Sequence, residues 1–217
     1  MKKCIILANG DMPKKSVVAF LKKRGYTTLI CADGGANSAL KLGLKPDYII
    51  GDLDSIEPKV KNYFKDRCRI IQMKRQNDTD VEKCLKFAIK NGFSEAMLLG
   101  ATGSRLDHSF CNLGIVLKFF SKIKIRILHD NSLLEAHTGN VTLQTSRDEV
   151  ISIYGFDKKT KVTSAGLKYP LNNTSLPFGE RESTSNVSLG DFVKLNIKNG
   201  KMFVIRDFEM MKKNDLI

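Results

Sequence analysis

Short apolar runs alternate with amphipathic segments from the start of the chain to about residue 137, and short β-rich runs replace them after Thr138-Gly139. The first pattern is that of an α/β domain, where strands covered on both faces read as continuous apolar stretches. Residues 4–8, 28–32, 48–50, 69–73, 96–99 and 125–129 are the predicted strands. Between them residues 14–24, 36–42, 58–66, 78–91 and 107–120 carry helical spacing. Helix 78–91 is the clearest: Val81, Leu85, Phe87, Ala88 and Ile89 are apolar, and Gly92 follows where a C-terminal cap belongs.

Beyond residue 138 the predicted strands are 141–143, 150–154, 161–165, 192–197 and 202–208, and no long amphipathic helix is visible. Residues 172–186 are polar, contain Pro177 and Gly179, and read as a long functional loop. The expected fold is an N-terminal Rossmann-like, mostly parallel α/β domain over residues 1–138. A small C-terminal all-β sandwich over residues 139–217 follows it.

Composition narrows the picture. The 217 residues are 42% hydrophobic, enough for a core, and no apolar run reaches the length of a membrane span. Residues 4–8 are too short for the apolar region of a signal peptide before Asn9-Gly10-Asp11 breaks them. Cys4, Cys31, Cys68, Cys84 and Cys111 form no CxxC pair and are odd in number, as reduced cysteines of a cytoplasmic protein would be. The net charge of +13 raises a nucleic-acid reading. Its lysines and arginines are spread along the whole chain, however, without an aromatic-interleaved basic stripe. Such a diffuse excess favours polyanionic small molecules over nucleic acid or membrane.

The candidate chemistry sits at strand ends. Tyr48-Ile49-Ile50 stops at Gly51, and Asp52 and Asp54 follow with one residue between them. Two carboxylates there suit Mg²⁺ carrying substrate phosphates, although an Asp-rich turn gives the same string. Three similar stretches accompany it: Asp33-Gly34-Gly35, Asn77-Asp78-Thr79-Asp80, and Gly100 to His108. Glycine-rich strand ends let backbone amides approach an anion, and Arg105 offers a planar fork for phosphate. Asp78 and Asp80 also fit as helix N-terminal caps, and His108 and His129 fit structural roles. The Gly100–Gly103 turn is not a Walker motif, since no Gly-Lys-Ser/Thr follows it.

These residues resemble the thiamin pyrophosphokinase family. Asp33-Gly34-Gly35-Ala36-Asn37, the run Pro46–Ser55, Thr79-Asp80, Gly100-Ala101-Thr102-Gly103 with Arg105, Asp107 and His108, and Ser183–Asn186 fall in the family's order. Gly166–Leu171 is similar to it as well. The resemblance implies an ATP- and Mg²⁺-binding α/β domain, a thiamin-binding β domain, and a homodimer with active sites at the subunit interface. It implies Asp52, Asp54 and Asp80 as metal ligands, with Arg105 and Asp107 beside them as catalytic residues. Asp33, Gly34, Gly35, Asn37, Thr79, Gly100, Thr102, Gly103, Arg105, Asp107 and His108 would meet the nucleotide. Gln76, Tyr169, Ser185 and Asn186 would meet thiamin. Asn77 stands where many relatives carry an acid, and the chain has no Trp to stack on thiamin, leaving Tyr169 or Phe178. The implied reaction moves the diphosphoryl group of ATP to the thiamin hydroxyl. Two other readings remain open: a diphosphokinase of the same scaffold acting on a pterin-type alcohol, and a non-catalytic nucleotide- or RNA-binding module.

Overall fold

Cys4, Ile5, Ile6 and Leu7 are all fully buried, as an interior strand flanked by two others and covered on both faces requires. A computed structural model of the chain describes residues 1–74, 77–103 and 105–217. The chain divides into two units, Met1–Asp130 and Asn131–Ile217. That division precedes the change of sequence pattern at residue 138, because Ser132–Gln144 is one strand paired nearly throughout its length.

The first unit runs β1 (Lys2–Leu7), α1 (Lys15–Lys23), β2 (Thr28–Ala32), α2 (Gly35–Lys41), β3 (Tyr48–Gly51), α3 (Pro58–Phe64), β4 (Arg69–Gln72), α4 (Asp80–Lys90), β5 (Phe93–Leu99), α5 (Leu106–Lys118) and β6 (Lys124–His129). Its strands lie in the order β6-β5-β1-β2-β3-β4, and every adjacent pair is parallel. The chain therefore builds outward from β1 in one direction, then returns to β1's other edge with β5. At such a reversal of strand order the loops leaving the two strands diverge and open a crevice. Here the Ala8 amide donates to Leu99 O (2.8 Å), Gly10 to Gly100 O (2.7 Å) and Asp11 to Thr102 O (2.8 Å). The two strand ends are thus joined for three residues past the sheet.

Helix α4 packs on β1, β2, β3 and β5. Val81, Cys84, Leu85 and Ala88, spaced three and four apart, form its buried stripe. Its start is fixed by a capping box: Thr79 Oγ1 accepts from the Glu82 amide (3.3 Å), and Glu82 Oε2 accepts from the Thr79 amide (3.1 Å). Thr79, rather than Asp78 or Asp80, is the cap.

The second unit contains β7 (Ser132–Gln144), β8 (Val150–Tyr154), β9 (Lys161–Ala165), β10 (Thr174–Ser175), β11 (Ser183–Val187), β12 (Phe192–Asp207) and α6 (Phe208–Lys213). All its strand pairs are antiparallel. β12 is the spine: its first half pairs with β9, its second half with β8, and both halves with β7. A bulge between Ile197 and Met202 separates the halves. Val193, Leu195 and Ile197 before the bulge share one core with Met202 and Val204 after it, and with Ile151, Ile153 and Val162. Residues 192–197 and 202–208, expected as two strands, belong to one strand as far as Asp207, whose inward phase shifts at the bulge, and Phe208 instead begins α6. Among the described residues no helix is long and apolar enough to cross a membrane.

Candidate active site

The end of β2 shapes the site. Asp33 adopts φ +39° and is 1% exposed. Its Oδ2 accepts from the amides of Asp54 and Ser55 (3.2 Å each), and its Oδ1 accepts from the Ile56 amide (3.0 Å). Asn37 completes the brace: its Nδ2 donates to Ser55 O (3.0 Å) and its Oδ1 accepts from the Glu57 amide (3.0 Å). Both side chains organise the loop after β3. Gly35 serves packing too, since a Cβ there would lie 2.0 Å from Leu7 O. Gly51 has no room for one either: it would stand 2.6 Å from Asp33 Cβ and 3.1 Å from Asp80 Oδ1.

That tight corner gathers three carboxylates. Oxygen atoms of Asp33, Asp52 and Asp80 lie within 4.8 Å of one another. Asp54 is outside this group; it is exposed, and its Oδ1 accepts from the Ser55 hydroxyl (2.9 Å). Lys83, which the sequence reading missed, donates to Asp52 Oδ2 (3.1 Å) and Asp80 Oδ1 (2.8 Å). Its position three residues after Asp80 on one helix was the available signal. Asp52 Oδ1 is buried and, among the described residues, has no hydrogen-bond partner. A buried carboxylate oxygen without a donor is costly, and a hard cation is the partner its chemistry suits. The residues present therefore fit a divalent ion.

Electrostatics follow the packing. Burial foremost, with the charge of Asp80 and a carboxyl–carboxylate hydrogen bond to Asp52 adding to it, pushes the Asp33 carboxyl up to about 6. Burial also acts to raise Asp52, but the hydrogen bond and charge of Lys83 outweigh it and hold that carboxyl below its ordinary value. For Lys83 burial acts to lower the pKa, and the bonds and charges of Asp80 and Asp52 raise it overall.

Beside the carboxylates a cleft of about 560 Å³ opens at the joined ends of β1 and β5. Gly34, Thr79, Gly100, Thr102, Gly103 and His108 line it, together with Asp52, Asp80, Arg105 and Asp107. Asp33, Gly35 and Asn37 do not; they act from behind the loop. Asn112 Nδ2 donates to Ala101 O (2.6 Å), and the Gly103 amide donates to Ser109 Oγ (3.2 Å), so α5 fixes the turn that forms one wall. No sequence signal marked these two residues. Arg105 and Asp107 are exposed and bonded to each other: Nε donates to Oδ1 (2.9 Å) and Nη2 to Oδ2 (2.6 Å). The guanidinium holds the Asp107 carboxyl far below the usual carboxylate range.

The remaining predicted residues lie elsewhere. Gln76 falls outside the described residues. In the second unit Tyr169 is 61% exposed. Ser185 has φ +52°, and its amide donates to Ser152 Oγ (3.0 Å). Asn186 is buried, accepting from the Tyr169 amide (3.0 Å) and donating to Tyr169 O (2.7 Å). Its side chain is committed to holding the Tyr169 backbone, so Tyr169 and Ser185 are the accessible members of the set.

Comparison with known proteins covers both units. Residues 22–128 match the family model described as the thiamin pyrophosphokinase catalytic domain, and residues 139–202 match its vitamin B1 binding domain. Thiamine pyrophosphokinase 1 of Oryza sativa subsp. japonica is 28% identical, over 93% of this chain and 86% of its own. Thiamine pyrophosphokinase 3 of the same plant is 33% identical, over 73% of this chain and 70% of its own. The crystal structure of thiamin pyrophosphokinase from Geobacillus thermodenitrificans superposes with a TM-score of 0.80 at 25% identity, covering 95% of this chain and 97% of that one.

Proposed function

The chain belongs to the thiamin pyrophosphokinase family, and we propose that it transfers the diphosphoryl group of ATP to the hydroxyl of thiamin, releasing AMP. The observation that carries this reading is the Asp33, Asp52 and Asp80 cluster, with a buried oxygen unpartnered among the described residues, beside the cleft at the β1–β5 reversal. In the reaction the hydroxyl oxygen bonds to the β-phosphorus and the bond from that phosphorus to the α-phosphate oxygen breaks. AMP leaves with that oxygen, and the hydroxyl gives up its proton. Such a transfer needs positioning and charge neutralisation more than a strong base.

Asp52 and Asp80, with Asp33 behind them, are the residues that would hold Mg²⁺, and Asp54 lies two positions along the same loop. The ion would neutralise and orient phosphate oxygens. Arg105, once released from Asp107, presents its fork to the phosphates, which leaves Asp107 free to orient the hydroxyl. Tyr169 and Ser185 are assigned to thiamin. The match of residues 139–202 to a vitamin B1 binding domain favours thiamin over a pterin-type alcohol and over a nucleic-acid module.

The working form is a homodimer with its sites at the subunit interface. An apolar stripe on α5 supports association: Leu106 is 79% exposed and Phe110 67%, with Leu113 and Leu117 partly exposed behind them. Five free cysteines suit a cytoplasmic enzyme. The deciding experiment follows AMP release from Mg-ATP with and without thiamin. Thiamin-dependent AMP release is expected; release indifferent to thiamin would overturn the reading.

A further inference from the structure

Lys83 has 3% of its side chain exposed and sits between two carboxylates, 3.1 Å from Asp52 Oδ2 and 2.8 Å from Asp80 Oδ1. Removing an ammonium from water is costly, and only close, well-bonded anions offset it. A purely structural buried pair would be closed on itself, as Arg206 and Glu149 are in the second unit: their fork-to-carboxylate bonds use both oxygens of Glu149. The Lys83 group is not closed. Among the described residues Asp52 keeps one buried oxygen without a partner, Asp33 adds a third carboxylate from behind, and Asp52, Asp80 and Lys83 border the open cleft. The chain thus supplies its own cation to a site built with room for another.

We propose that Lys83 is a resident counter-cation that holds Asp52 and Asp80 in position and disfavours a free divalent ion, so that the metal is taken up together with the nucleotide triphosphate. The inference rests on the reading of these carboxylates as the metal site. A free divalent ion entering beside Lys83 meets a like charge in a partly shielded place, where Coulomb repulsion is strong. A metal–triphosphate complex carries net negative charge, and the same ammonium then attracts it. Lys83 is on this account a positioning residue that couples metal binding to nucleotide binding.

The test is Mn²⁺ binding, read by electron paramagnetic resonance of the free ion, with and without α,β-methylene-ATP, which resists this transfer. Without nucleotide, Lys83→Met should bind Mn²⁺ at least about tenfold more tightly than the wild type, since the repulsion is gone. With the analogue present the gain should vanish or reverse. Lys83→Arg, which keeps the charge, should stay close to the wild type without nucleotide. If Lys83→Met does not fold, Lys83→Gln keeps hydrogen-bond donors without the charge and carries the same comparison. Adding Asp52→Asn to Lys83→Met should abolish the gained affinity. Tighter Mn²⁺ binding that survives Asp52→Asn would place the ion elsewhere and overturn the metal reading itself. Unchanged or weaker Mn²⁺ binding by Lys83→Met, with nucleotide-supported binding still lost on Asp52→Asn, would overturn the role of Lys83 alone.

Discussion

Asp33 combines two demands in one carboxylate: it accepts three backbone amides of the 52–56 loop and stands within 4.8 Å of two other acids. Because both of its oxygens accept, Asp33→Asn would set an amide NH₂ against amide N–H groups. The expected loss is about 1–3 kcal/mol of stability, together with weaker metal binding, checked by thermal unfolding and Mn²⁺ titration. The same residue sets a pH dependence. Its folded pKa of about 6 lies above the ordinary carboxyl value, so its stabilising contribution is complete at low pH and is lost as pH rises through about 6. Metal-free protein should therefore melt at a lower temperature at pH 7.5 than at pH 5, and saturating Mg²⁺ should narrow the difference. A second residue-scale expectation concerns Arg105. Its fork makes two bonds to Asp107, a geometry that a single ammonium does not reproduce. Arg105→Lys should lower kcat/KM by at least about tenfold; unchanged kinetics would mean that the fork never leaves Asp107. Asp33 and Arg105 were visible in the sequence as site residues, but the bracing role of Asp33 and the presence of Lys83 were not. The amides that Asp33 braces lie 21 to 23 positions away, which local pattern does not encode; Lys83 stands three residues after Asp80, but its other partner, Asp52, is 31 positions away.

At the scale of elements, legibility followed the kind of sheet. The parallel strands of the first unit are buried on both faces, so 4–8, 28–32 and 48–50 stood out as apolar runs against polar loop residues. Of β7 only 141–143 stood out, because Glu135, His137 and Thr138-Gly139-Asn140 interrupt its apolar pattern. They form a strand through backbone bonds to β12 instead. Likewise β12 read as two strands because odd-numbered residues are buried before its bulge and Met202 and Val204 after it, with Asn199 at φ +61° between. The six-residue helix α6, capped by Asp207 Oδ1 accepting from the Met210 amide, was too short for helical spacing to reveal. One element-scale prediction concerns the end of β3. Gly51→Ala would drive a methyl group between Asp33 and Asp80. It should cost about 1–3 kcal/mol by overpacking, and it should reduce metal affinity more than Ala39→Ser, a control on buried α2 away from the acids. Equal effects on metal affinity would show that Gly51 does not hold the corner open.

For the whole molecule, the proposed shared site gives a complementation test. Take Asp52→Asn in one chain and Tyr169→Ala with Ser185→Ala in another, leaving Asn186 in place because its amide holds the Tyr169 backbone. In a mixed dimer one site collects all the defects and the other none. Exchange of subunits should restore up to about one quarter of wild-type activity if mixing is random. No recovery in confirmed mixed dimers would assign Tyr169 and Ser185 to their own chain's site. The reversal of strand order at β1 has a further consequence, in the order of synthesis. β1 leaves the ribosome first and finds β2 soon after, yet its other edge pairs with Phe93–Leu99, some ninety residues later. Until then Cys4–Leu7 presents an uncovered apolar edge, the kind that recruits other strands and aggregates. A chain released at Asn91 should sediment or bind a chaperone after in-vitro translation, whereas one released at Asp130 should stay in solution. The proposed catalytic cleft, framed by the ends of β1 and β5, is thus among the last parts of its unit to form, and a growing chain is about half made before it has one.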